Sequence, residues 1–161
     1  MHQWIVLLHI VGAFIFVLAH GASIVMATQV SRERDPRRIA VLLELSSAAI
    51  GPAYIGLLLL LVGGIWASID GGFFARGWPW AALGLLIAIT IAMYAIATRF
   101  YRQLRDAVGM ARPGANAGPP PAPLSDAEII ALAGKSPVMP LAAIGFGGLL
   151  IILWLMVLKP F

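Results

Sequence analysis

Three histidines on one apolar run are the residues of this chain best suited to chemistry. His2, His9 and His20 are separated by seven and eleven residues, and at ~100° per residue a helix brings all three within about 20–40° of one face. Imidazole can ligate a heme iron, take up a proton near neutral pH or hydrogen-bond a quinone. Gly12, Phe16 and Ser23 fill the same stripe. A second apolar run repeats the pattern with Glu44, Ser47, Gly51 and Tyr54, and a third with Thr90, Tyr94, Thr98 and Tyr101. A charge at the bilayer centre costs at least ~2.5–3.5 kcal/mol, so such residues are expected to face the interior of a helix bundle. At ~1.5 Å per residue, His20 is roughly 15 Å above the end of its helix and Glu44 roughly 10 Å into the next, while Tyr94 and Arg99 descend through the same layers.

The expected site is therefore a buried cluster of His20, Ser23, Glu44, Ser47, Tyr94 and Arg99, with Tyr54 and Thr98 on the same seams. His9 belongs to the opposite half as a candidate metal ligand. His9, His20 and Tyr94 are the candidate cofactor contacts, with heme b or a quinone as the occupant. All three histidines share one helix, so ligating heme b on both faces requires a second copy of the chain, or a Met, Tyr or water. The competing reading treats the same residues as interhelical hydrogen-bonding groups, with Glu44 paired to His20, Arg99 or Arg38.

The elements that must position these residues are four long apolar runs, 3–28, 40–68, 78–100 and 138–158, each long enough for ~30 Å of hydrocarbon. Hydrophobic residues make up 61% and charged residues 11%, too little polar surface for a soluble fold, where charged residues are about 25%. The chain reads as an all-α polytopic membrane protein, a four-helix up-down-up-down bundle whose first partner is the lipid bilayer. Arg32, Arg34, Arg37 and Arg38 follow the first run, and Arg99, Arg102, Arg105, Arg112 and Lys135 follow the third, whereas Arg76 and Lys159 stand apart. The positive-inside rule then places both termini outside the cytoplasm, in a cell (inner or plasma) membrane. The opening residues carry no positive n-region, so the first run is expected to be a retained helix. These cations explain the +4 net charge without nucleic acid, since they are juxtamembrane and mixed with Glu33, Asp35 and Asp106. The absence of cysteine removes thiolate metal sites, disulfides and thiol catalysis.

Between the runs, Pro36 is placed to start the second helix region. Trp66, Phe73, Phe74, Trp78 and Trp80 read as an interfacial aromatic belt. Residues 112–123 form a Pro/Gly/Ala-rich cytoplasmic tether. After it, 125–133 predicts a short interfacial helix, with Ser125 as N-cap, Glu128 completing a capping box and Leu124 stapled to Ile129. Pro52 and Pro140 are expected to kink or begin their helices near Ser47 and Pro137. Gly51, Gly56, Gly63 and Gly64, like Gly145, Gly147 and Gly148, mark close helix packing.

The run Leu8-His9-Ile10-Val11-Gly12-Ala13, a charged turn, and Pro52 followed by Gly63-Gly64 together resemble a broad group of four-helix membrane proteins. The group includes an uncharacterised family of predicted integral membrane proteins, the copper-resistance D-type membrane domains and the short membrane-bound protoporphyrinogen oxidases of heme synthesis. The resemblance covers about the first hundred residues. It implies a heme ligand at the position of His9; the oxidases also require a third-helix lysine, and the third run here has none. Met26 and Met93 are isolated, which offers little to copper. The leading expectation is a non-catalytic accessory or structural subunit of a membrane complex, with other membrane subunits or further copies of itself as partners. A heme- or quinone-binding redox protein using His9 or His20 is the alternative, and a small-solute or proton transporter comes third.

Overall fold

The computed structural model describes residues 2–111 and 119–161, so most of the tether at 112–123 lies outside the described residues. The chain is all-helical, with α1 at His2–Arg32, α2 at Pro36–Ala48, α3 at Ile50–Asp70, α4 at Trp78–Ala107, α5 at Asp126–Ala133 and α6 at Val138–Leu158. A single 3₁₀ turn, Phe73–Ala75, bridges α3 and α4. Four segments are long and apolar enough to cross a membrane: His2–Arg32, Pro36–Asp70, Trp78–Ala107 and Asp126–Leu158.

The boundaries follow local chemistry. Asp35 caps α2 by accepting from the Arg37 N–H, and Pro36 occupies the first turn, where its missing N–H costs nothing. The second apolar run divides at Ala49, three residues before Pro52, because the proline ring removes a donor and crowds the preceding turn. Pro137 precedes α6, as the sequence predicts. The capping box of Ser125 and Glu128 forms, with the Ser125 N–H donating to Glu128 Oε2 at 3.1 Å. Leu124, by contrast, remains exposed and bonds through its N–H to the Ala107 carbonyl at 2.9 Å.

The helices associate as two antiparallel pairs, α1 with α3 and α4 with α6. In the first, Gly12 lies against the backbone of Gly56 and Leu60, and a Cβ on Gly56 would come within 2.5 Å of the Phe16 nitrogen. Such backbone proximity maximises van der Waals contact where lipid supplies no hydrophobic drive. In the second, Gly148 receives Ile89, Tyr101 Oη is 3.0 Å from Ser136 Oγ, and the Trp78 backbone N–H bonds the Phe161 carbonyl. The pairs meet through α1 and α6 near His20 and Gly145. Towards the end that carries His2, Asp70 and Phe161, α3 and α4 touch only through long side chains such as Leu57, Leu60 and Leu61.

At the other, arginine-rich end the bundle is closed. Ile129 and Ala133 of α5 are buried with Val30, Ile39, Leu43, Leu104 and Ala107. The short helix is thus folded beneath all three neighbouring helices as a plug. Arg105 crosses this layer to donate from Nη2 to the Leu43 carbonyl at 3.1 Å.

Candidate binding cavity

His9 is the best-defined polar group in the half of the bundle that carries His2, Asp70 and Phe161. Its Nδ1 lies 2.7 Å from the Leu60 carbonyl of α3; a carbonyl only accepts, so Nδ1 carries the proton and donates, leaving Nε2 with a free lone pair. Gly63 and Gly64 make this seat. A Cβ at Gly63 would meet the His9 backbone at 2.8 Å, and one at Gly64 would meet Nδ1 at 2.8 Å and Cε1 at 2.9 Å. An N–H anchored to a backbone carbonyl is the arrangement that fixes ring orientation in histidines whose second nitrogen binds something else.

The imidazole forms part of the wall of a cavity of about 510 Å³ between the two helix pairs, within the ~300–1,000 Å³ typical of small-molecule sites. Phe16, Phe73, Trp78 and Phe146 supply aromatic surface, and Leu149, Leu153 and Met156 of α6 the opposite wall. Register places Met156 level with His9. His20 packs against Gly145 in the antiparallel α1–α6 contact, and the same eleven-residue step leads from His20 to His9 and from Gly145 to Met156. Lys159 stands at the end nearest Phe161, its ammonium 4.7 Å from the Phe73 ring centre and 5.8 Å from that of Trp78.

The expected inner cluster is not assembled. Glu44, Tyr54, Tyr94 and Arg99 all point out of the bundle, with Tyr54 and Tyr94 each 62% exposed. His20 is flanked by Phe16, stacked at 5.8 Å, and Phe146, edge-on at 5.7 Å, and its buried Nε2 has no hydrogen-bond partner among the described residues. Ser23 and Ser47 donate to the carbonyls of Ala19 and Leu43 one turn back in their own stretches of helix, and Thr98 is half-buried. The physical reason is azimuth: depth arithmetic puts these side chains in common layers, but the glycine contacts of α1 with α3 and the burial of Ile39 and Leu43 decide which faces turn inward. A carboxylate as near the charged end as Glu44 reaches polar headgroups from an outward face. The aromatic belt divides in the same way. Trp66 and Trp80 face outward, whereas Trp78 is 6% exposed and lines the cavity.

Met156, Lys159 and the Leu60 carbonyl are the site groups that sequence reasoning missed. Met156 alone had a signal, the shared eleven-residue register, readable once α1 and α6 are known to be neighbours. Among the described residues no three His, Asp or Glu side chains gather as a metal site. Comparison with protein-family models, with curated proteins and with solved structures finds no match.

Proposed function

We propose that this protein is a non-catalytic integral membrane subunit that holds a membrane-soluble ligand in its outer-half cavity, oriented by His9. The observation that carries the reading is the free Nε2 lone pair of His9, set at the wall of an apolar cavity by the Leu60 carbonyl and the Gly63-Gly64 niche. A helix pair held together by interhelical glue alone has no use for an oriented acceptor beside a void. The outward faces of the four spans meet lipid or neighbouring membrane subunits. The arginine-rich end is assigned to the cytoplasm by charge bias. Cysteine labelling at Arg34 and Gly72 tests that assignment, because labelling of the Arg34 position from the outside overturns it.

The test of the cavity is native mass spectrometry of the full-length protein released from its membrane in mild detergent. The parent is expected to carry a co-purifying small molecule that His9→Ala loses while remaining membrane-inserted. A parent free of adducts, or an equal load on His9→Ala, overturns the reading.

A second reading is favoured by Met156. Imidazole nitrogen and thioether sulfur at one level on opposite walls form a donor set that suits heme b. His9 and Met156 would hold it, and heme bound there would supply one-electron redox chemistry, with the resemblance in the first helix pointing to the same histidine. A Soret band in the purified protein, shifted by Met156→Leu, supports this reading. A colourless parent removes it.

A further inference from the structure

We propose that the occupant of this cavity is a single-chain membrane lipid with a carboxylate head, the head held at Lys159 and the tail running inward along α6. The inference rests on the cavity being a ligand site and adds the chemistry of the ligand.

Four observations converge. First, apart from His9, Ser68 and Lys159 the lining is apolar, with leucines, Phe146 and Met156 on the α6 side, so the bulk of the occupant is hydrocarbon. Second, the lining of α6 runs from Phe146 to Lys159, about 20 Å at ~1.5 Å per residue, and one leaflet of a ~30 Å hydrocarbon core is about 15 Å deep. An acyl chain as long as one leaflet is deep therefore fills about three-quarters of the cavity's length. Third, the one cation among the lining residues stands at the outer end. Lys159 is level with the Trp78 N–H to Phe161 carbonyl bond and with the aromatic turn at Phe73 and Phe74, the depth at which amphipathic rings mark the membrane interface. A lipid entering from the outer leaflet carries its head at this level.

Fourth, Lys159 is positioned and unpaired. It ends α6 as the C-cap in the left-handed backbone region at φ 47°, its backbone N–H bonded to the Leu155 carbonyl at 3.0 Å, which fixes where its side chain leaves the helix. The residue is exposed, and its ammonium rests over the Phe73 and Trp78 rings. No carboxylate forms a salt bridge with it among the described residues, and Asp70, at the same end, is engaged by His2 Nδ1 at 2.6 Å. A compact point charge fits a monovalent head that needs no bidentate grip.

The experiment compares palmitate with hexadecanol, which has the same chain and no charge. Both are titrated into the full-length protein in non-ionic detergent, and one-to-one adducts are counted by native mass spectrometry. The parent is expected to bind the acid about tenfold more tightly than the alcohol, equivalent to ~1.4 kcal/mol. Lys159→Gln should lose most of that preference while keeping the alcohol, and Lys159→Arg should retain it. Leu149→Trp, which fills the cavity, should lose both probes. Equal affinities in the parent, or full preference in Lys159→Gln, overturn the headgroup assignment and leave the cavity reading standing. Failure of both probes to bind the parent overturns the lipid proposal, with the co-purifying adduct deciding separately whether the cavity binds anything else. Unchanged binding by Leu149→Trp places both probes on the outer surface and overturns the proposal as well.

Discussion

The His20 imidazole occupies the space that a side chain on Gly145 would need, with the glycine Cβ position directly against Nε2. This is where the two helix pairs join, so the contact fixes how far α1 and α6 diverge above it and thereby the width of the cavity. Because Phe16 and Phe146 flank the His20 ring and restrict its rotation, Gly145→Ala is expected to destabilise the protein in detergent by ~1–3 kcal/mol, the usual cost of overpacking. A methyl group placed on Gly147 would meet no neighbouring atom within 4 Å, so Gly147→Ala should be neutral or stabilising by up to ~1 kcal/mol. Thermal unfolding of the two variants side by side is the check; equal midpoints would show that the joint is elsewhere.

Glu44 gives the opposite expectation from that of a buried acid. It points out of the bundle while its neighbour Leu43 is buried, so neither Glu44→Gln nor Glu44→Leu strands a partner inside. Both variants should stay within about 0.5 kcal/mol of the parent, as surface substitutions do. A large loss for Glu44→Leu alone would restore the inner seam.

This residue also shows what the sequence could and could not carry. Run lengths, prolines and the Ser-x-x-Glu pattern are one-dimensional quantities, and the apolar spans 3–28, 78–100 and 138–158, a break ahead of Pro52 and the cap at Ser125 were legible from them, although α1 and α4 continue to Arg32 and Ala107. Which face of a lipid-immersed helix turns inward was not, because almost every position on α1, α3 and α6 is apolar and no amphipathic contrast marks the interior. Small residues hold that information instead. Gly56, Gly63 and Gly145 were visible as packing sites, but their partners, Gly12 among them, depend on which helices pair. His9 was legible as a candidate from its type and position; its tautomer and its cavity came from the Leu60 carbonyl and Gly64.

Arg105 carries more than topology. Its Nη2 bond to the Leu43 carbonyl ties α4 to α2, within the layer that Ile129 and Ala133 plug. Hydrogen bonds from charged groups contribute ~1.5–3 kcal/mol when well buried, and half-burial reduces this to about 1 kcal/mol. Arg105→Gln should show that loss in detergent unfolding, whereas Arg102→Gln, at an exposed position, should leave the midpoint unchanged. Equal behaviour of the two would reduce Arg105 to a juxtamembrane charge.

Gly64 separates the seat of His9 from the packing of the helices. The atoms that a Gly64 Cβ would crowd, Nδ1 and Cε1 at 2.8 and 2.9 Å, belong to the far end of a side chain that can rotate away. The atoms crowded by a Gly63 Cβ are His9 backbone, which cannot. Gly64→Ala should therefore cost only the Leu60 hydrogen bond, about 1 kcal/mol, yet release the imidazole from the orientation that aims Nε2. Gly63→Ala should force α1 and α3 apart and cost ~1–3 kcal/mol. Gly51→Ala, at an open position, serves as the reference. Ligand occupancy by native mass spectrometry, measured beside the unfolding midpoint, distinguishes the two effects. Gly64→Ala is expected to lose occupancy at nearly parental stability. Parental occupancy in that variant would mean that the ligand takes no hold on an oriented His9.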